Sequence, residues 1–331
     1  MSKFQINSIT GKDNLRGTSF VGVTTVSSTG SMRIPSGPTE NRGGRGRGVF
    51  GSGGTPTATN VLDMIEIATT GDAVDFGDDI HARQEGYASF ASATRGCFAG
   101  GQTPTFLTNI AYVTTSSQGG ANDFGDLQTA QTRNVGLSDS TRGISAGGGD
   151  PVQTAGIEFV TISTTGDANN FGNLTQARAG AGACASPTRG LIGGGNPNTN
   201  IIDYITIQTG GSAEDFGDLT DDPNHLAGCS NSIRGLFGGG QNPSNVDVIA
   251  YVTIATFGNA IDFGNLSAAK DYLGACASAT RGVFGGGQSP TKLNVIEYVT
   301  ISTTGDVTNF GDLTVARRFC MGLSDVHGGL S

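Results

Sequence analysis

Gly235-Leu236-Phe237-Gly238-Gly239-Gly240, then Val248-Ile249-Ala250-Tyr251-Val252-Thr253-Ile254, then Ala260-Ile261-Asp262-Phe263-Gly264-Asn265-Leu266: this stretch decides the fold, because edited copies of it run along the whole chain. Each copy is introduced by an Arg-Gly pair, at Arg47, Arg95, Arg142, Arg189, Arg234 and Arg281, and closed by a Phe-Gly pair, at Phe76, Phe124, Phe171, Phe216, Phe263 and Phe310. Neighbouring Arg positions differ by 48, 47, 47, 45 and 47 residues. Six copies at so even a spacing are an array, and an array overrides the prior of about two domains for 331 residues.

Working outward from that stretch, each repeat holds four short strand candidates. The segment after Arg-Gly ends in a Gly cluster, which makes a sharp turn. The next, as in Ile201–Ile207 and Val295–Ile301, is β-branched and alternates with period 2. A Thr-Gly or Gly-Asp turn leads to the short Asp-Phe-Gly segment. A strand of small residues follows, such as Gly180-Ala181-Gly182-Ala183-Cys184-Ala185-Ser186. No stretch has capped helical periodicity, so the chain reads as all-β. Four strands in about 47 residues is the size of one propeller blade. Radial crowding explains the small-residue strand, because innermost strands around an axis have room only for short side chains. The chain starts at a second strand and ends after an innermost one, Phe319–Asp325, so that last strand should complete the first repeat's sheet. His327-Gly328-Gly329-Leu330 reads as a stub of the next Arg-Gly strand. The expectation is a six-bladed β-propeller over residues 47–331, with an extended N-terminal arm over 1–46.

Composition agrees. Fifty-five glycines with only ten prolines and no Gly-X-Y period exclude collagen, and the Val, Ile, Phe and Tyr content argues against disorder. No apolar run nears the roughly 20 residues of a membrane helix, and the N-terminus lacks a secretory apolar core. The five cysteines, Cys97, Cys184, Cys229, Cys276 and Cys320, are odd in number and lack zinc-pair spacing. They read as buried free thiols made in a reducing compartment. Residues 1–47 carry seven basic and two acidic side chains, a net of +5, and the remainder nets −14, which gives the overall −9. An acidic body repels nucleic acid, so none is expected as a partner.

The order of segments resembles the kelch family. Kelch repeats have a Gly-Gly pair ending the second strand, matched at Gly100-Gly101, Gly148-Gly149, Gly194-Gly195, Gly239-Gly240 and Gly286-Gly287. They have an apolar-Tyr strand next, matched at Tyr112, Tyr204, Tyr251 and Tyr298, and an Arg ahead of the following inner strand, matched at Arg83, Arg178 and Arg317. Lys270 substitutes for that Arg once, Gln131 and Pro223 depart from it, and Phe of Asp-Phe-Gly stands where kelch has tryptophan. The pattern is kelch-like over 47–331.

Residues 1–46 do not fit the repeat. Phe20–Val26 reads as a short strand and Arg33–Thr39 as a Pro-rich extended connector, with too little apolar material for a core of its own. The leader, with Ile9-Thr10-Gly11, Gly22-Val23-Thr24-Thr25, Gly30-Ser31-Met32-Arg33 and Arg42-Gly43-Gly44-Arg45-Gly46-Arg47-Gly48, is similar to virion proteins of marine tailed phages that infect cyanobacteria. The repeats are also of their kind, as in Tyr298-Val299-Thr300-Ile301 and Asn309-Phe310-Gly311-Asp312-Leu313-Thr314. That resemblance implies a tail- or fibre-associated structural component, made in the host cytoplasm and located in the virion. Its arm, with Arg16, Arg33, Arg42 and Arg45 as candidates, would hold other virion proteins. A host-surface receptor or glycan is a further expected partner, self-association of the propeller is compatible, and membrane insertion is not expected.

Candidate chemistry is sparse. His81, His225 and His327 occupy different places in their repeats, so they form no symmetric site and read as surface histidines. Asp72, Asp75, Asp78, Asp215 and Asp218 could offer oxygens to Ca²⁺. Asn170 and Asn309 replace the acid before Phe in two repeats, however, which fits Asx turn capping better. No cofactor is therefore expected, with Ca²⁺ the minor alternative. The repeated Arg could form an anion-binding ring but reads better as a structural pair beside repeated acids. An enzyme would need a convergent, unrepeated constellation, and none is legible. Variation gathers instead in the loops after the Gly clusters, which share one rim. Thr105, Gln153, Asn198, Asn242 and Lys292 are the candidate recognition residues, and a lectin-like role for them is the alternative reading.

Overall fold

The computed structural model describes residues 46–55, 57–149 and 152–330. The attachment-arm expectation, with Arg16, Arg33, Arg42 and Arg45, lies outside the described residues. The rest is the expected six-bladed β-propeller. Each blade is a four-stranded antiparallel meander, as in Gly182–Ala185, Arg189–Gly193, Ile201–Thr206 and Glu214–Asp218 of blade 4. Blade 1 closes the ring with strands from both ends of the chain: Met321–Ser324 pairs antiparallel with Gly48–Gly51. The six innermost strands touch in one continuous circle. Closure leaves no blade with an open inner edge.

Every gap between blades has its own apolar cluster, six in all, and each contains one Phe of the Phe-Gly pairs. The gap between blades 6 and 1 is packed like the others, so the ring has no weak seam. Partway through the third strand of blades 2 to 6 an aromatic ring meets that Phe edge-on, as for Tyr251 and Phe263 at 5.7 Å between centroids, while blade 1 has Met64 there.

The repeated pairs are the parts that interlock. The Gly of each Arg-Gly pair receives a side chain from the previous blade's innermost strand. A Cβ on Gly143 would sit 2.2 Å from the Phe90 ring, and one on Gly235 would sit 2.5 Å from Cys184 Sγ. The Arg beside it reaches the following blade: Arg95 Nη1 donates to Ile162 O at 3.0 Å, Arg234 to Ile301 O at 3.0 Å and Arg281 to Ile67 O at 2.9 Å. All but Arg47 also lie over an aromatic ring of their own blade, 4.4 Å from the Tyr298 centroid for Arg281. At the perimeter, the Gly of each Phe-Gly pair abuts the next blade's turn glycine. A Cβ on Gly172, whose φ is +156°, would meet Gly211 O at 2.4 Å. Backbone bonds such as Gly211 N–H to Phe171 O (2.9 Å) and Ala213 N–H to Asn173 O (2.7 Å) seal that contact.

Buried ion pairs fix the crossovers between blades. Arg178, Arg317 and Arg83 are fully buried and pair with Asp203 (2.6 Å), Asp63 and Asp79 (2.7 Å), while Lys270 pairs with Glu297. Blade 5 has Pro223 and Ala250 at the matching positions, so cation and acid are absent together. Blade 3 breaks the rule. Gln131 stands where the cation would be, and buried Glu158 is left with Gln128 N–H and Thr129 Oγ1. Burial pushes the Glu158 carboxyl above its ordinary range.

The candidate rim face

The two faces of the disc are unlike. On one, the chain enters at Gly46, where Asp325 Oδ1 accepts the N–H groups of Gly46 (3.1 Å) and Arg47 (2.9 Å). The last residues cover the axis on this same face. Gly328–Leu330 forms a single 3-10 turn, so the expected strand stub is corrected. The reason is space: a Cβ at Gly329 would lie 1.9 Å from Ser138 O, and at Gly328 2.4 Å from Asn231 O. Only glycine lets the backbone settle over the axis. His327 anchors the turn, with its Nε2 bonded to Ala91 O at 2.8 Å and its Nδ1 accepting Gly329 N–H at 3.1 Å. That pattern requires the neutral ring, and burial lowers its pKa accordingly.

The opposite face carries the loops after the Gly clusters. Bridges tie the start of each loop to the residue leading into an innermost strand: Gln84 with Gln102, Thr132 with Gly149, Ala179 with Asn196, Asn224 with Gln241 and Asp271 with Gln288. The candidates Thr105, Gln153, Asn198, Asn242 and Lys292 are therefore all on this rim. Asn198 and Asn242 come together: Asn198 Nδ2 donates to Asn242 Oδ1 at 3.3 Å, and Asn242 donates in turn to Asp221 (3.0 Å) and Asp222. Lys292 reaches blade 1, its Nζ donating to Thr55 O. Thr105 is exposed at the tip of a two-residue-stranded hairpin, and Gln153 closes a bridge with Gly149.

Sequence reasoning missed the residues at the centre of this face. Two or three residues ahead of each innermost strand the backbone turns left-handed, at Glu85, Arg133, Gly180, His225, Tyr272 and Phe319, with φ between 56° and 66°. Their backbones join around the axis, Gly180 N–H to Arg133 O, His225 to Gly180, Tyr272 to His225 and Phe319 to Tyr272, at 2.7–3.0 Å. The side chains are all different. Arg133 pairs with Glu85 at 2.6 Å, and His225, Tyr272 and Phe319 form a run of rings with centroids 4.2 and 4.0 Å apart. His225 is thus not a surface histidine, which corrects that expectation as His327 does. Burial, helped by Arg133, pushes its pKa down to about 3. A small cavity of about 30 Å³ lies beneath these residues on the axis. A signal was present in the sequence: just ahead of the small-residue strand the repeats stop agreeing, both at these positions and at the residues before them, Gln84, Thr132, Ala179, Asn224, Asp271 and Arg318.

Between blades 5 and 6 the rim opens into a solvent-open groove of about 580 Å³, which runs to Tyr272 at the centre. Asp271 lies in its wall, its pKa pushed up to about 6 by burial. Other expected sites resolve into scaffolding. The repeated Arg are the inter-blade clamps described above. Asp72 Oδ1 accepts Asp312 N–H (3.0 Å), and Asp167 Oδ1 accepts Asp126 N–H (3.1 Å), so these turn acids cap the neighbouring blade. Asp75 Oδ1 caps Gly77 N–H within its own blade at 3.1 Å. The five cysteines are buried and free. Among the described residues, no helix is long and apolar enough to cross a membrane. No protein-family model matches the chain, and no curated protein matches it.

Proposed function

We propose that this chain is a non-enzymatic virion structural protein, tail- or fibre-associated, that attaches through residues 1–46 and presents a six-bladed propeller. The observation that carries this reading is the division of labour between faces. Residues that repeat build the scaffold and its interlocks. Departures from repetition gather on the rim face, in the loops and the axial ring, while the chain enters on the opposite face at Gly46. A protein tethered on one side and varied on the other suits display, with the rim available to a host surface or a partner subunit. The phage identity rests on the resemblance of the leader and repeats. Deleting residues 1–46 tests the reading: the remainder is expected to fold with an unchanged melting temperature but to be missing from purified particles. Normal incorporation of the truncated chain would refute the attachment role.

A further inference from the structure

We infer that the groove between blades 5 and 6 is a saccharide-binding site. The inference deepens the display reading, because it rests on the rim being the recognition face. It is a solvent-open groove of about 580 Å³ lined mainly by polar groups, wide enough to admit a sugar ring. The chemistry of its walls selects the ligand class. Among the described residues, the side chains of Gln241, Ser244 and Ser289 make no hydrogen bond within the protein, so two hydroxyls and a carboxamide are available to a ligand. Asn245 is held in place, its Nδ2 donating to Gln288 O at 2.9 Å and to Asp271 Oδ1 at 3.3 Å. Arg318 Nη1 donates to Gln288 Oε1 at 2.9 Å, which fixes the guanidinium while leaving it further donors.

One acid and one guanidinium leave the groove without net charge, so a phosphate or a polyanion gains nothing there over bulk solvent. An apolar peptide anchor finds no deep apolar pocket either. A pyranose or furanose matches what is present: hydroxyls that both donate and accept against amides, hydroxyls and a carboxylate, with Pro290 offering apolar surface to C–H groups. The binding groups sit on short loops fixed by the backbone bridges Asn224–Gln241 and Asp271–Gln288, so little ordering is required on binding.

The test uses the full chain on an array of immobilised neutral and acidic oligosaccharides, with free monosaccharides as competitors. Ser244 is exposed, so Ser244→Trp fills the groove without touching the core; Asp271→Asn removes the acceptor charge; Val152→Trp, at an exposed position, is the control in another rim loop. All three variants are first checked for an unchanged melting temperature. The expected result is retention on a subset of the array, reversed by millimolar free sugar, and weakened roughly tenfold or more by Ser244→Trp and Asp271→Asn but not by Val152→Trp. Loss with Val152→Trp alone would overturn the groove assignment while leaving the rim reading in place. No saccharide retained, or a peptide array bound in a manner blocked by Ser244→Trp, would overturn the ligand class; the particle experiments judge the display reading separately.

Discussion

Arg178 is the place to ask what holds one blade to the next. It lies on the crossover from blade 3, fully buried, and reaches into blade 4. There its guanidinium pairs with Asp203 at 2.6 Å and donates to Gly194 O at 3.2 Å and Ile201 O at 2.8 Å. Asp203 also accepts Thr175 N–H and Oγ1–H, at 2.9 and 2.6 Å, so the pair closes a loop of bonds around the crossover. Arg178→Met keeps the length of the side chain but leaves a buried carboxylate without its cation, a change that costs about 3–5 kcal/mol. With an unfolding entropy of ~2.1 cal/mol/K per residue over the ~285 residues of the propeller, one kcal/mol corresponds to ~1.7 °C. The melting temperature should therefore fall by about 5–8 °C. Blade 5 shows that the site can do without both charges, having Pro223 and Ala250 there. The double variant Arg178→Met/Asp203→Ala should accordingly recover more than half of the loss. Thermal unfolding followed by circular dichroism at neutral pH measures both. A single variant that melts within a degree of the parent, or a double variant no better than the single, would refute the claim that the buried pair secures the crossover.

Two further changes probe the scaffold. Glu158 has a raised pKa in the folded state, so between its unfolded value and that raised value the native protein binds the extra proton, and stability falls as pH rises through this window. Glu158→Gln should therefore raise the melting temperature at pH 7–8 and lose that advantage in acid; an advantage that grows on acidification would contradict the assignment. Gly166 and Gly172 both have extended left-handed backbones, at φ +150° and +156°, but only Gly172 faces a neighbour, Gly211 O. Gly166→Ala should cost about 1–2 kcal/mol, and Gly172→Ala about 2–3 kcal/mol more, by denaturant titration; equal losses would mean that the perimeter contact carries no load.

Much of the architecture was legible because repetition exposes it. The period, the four strands, the graded inner strand and closure by Phe319–Asp325 all follow from residues that recur in register. What the recurring pairs touch was not legible, since Arg95 finds its acceptor Ile162 O, and Gly143 its neighbour Phe90, across a gap that only the ring creates. The acids of the turns read correctly as caps, yet Asp72 and Asp167 cap the neighbouring blade and not their own turn. The centre of the rim face was hidden by the same logic in reverse. Glu85, Arg133, Gly180, His225, Tyr272 and Phe319 share a backbone conformation but no side-chain chemistry, so no motif marks them. His225 and His327 read as surface residues because burial at an axis depends on all six blades at once.

The central claim is that the rim face is the presented one, with the chain tethered from the face where Gly46 enters. The most direct measurement is a cryo-EM map of the purified particle with this chain traced. The account predicts a disc whose loops 102–108, 196–200, 241–247 and 288–293 face outward, with density leading from Gly46 into the particle. A disc wedged between other subunits, with those loops and the groove beside Tyr272 buried, would contradict it.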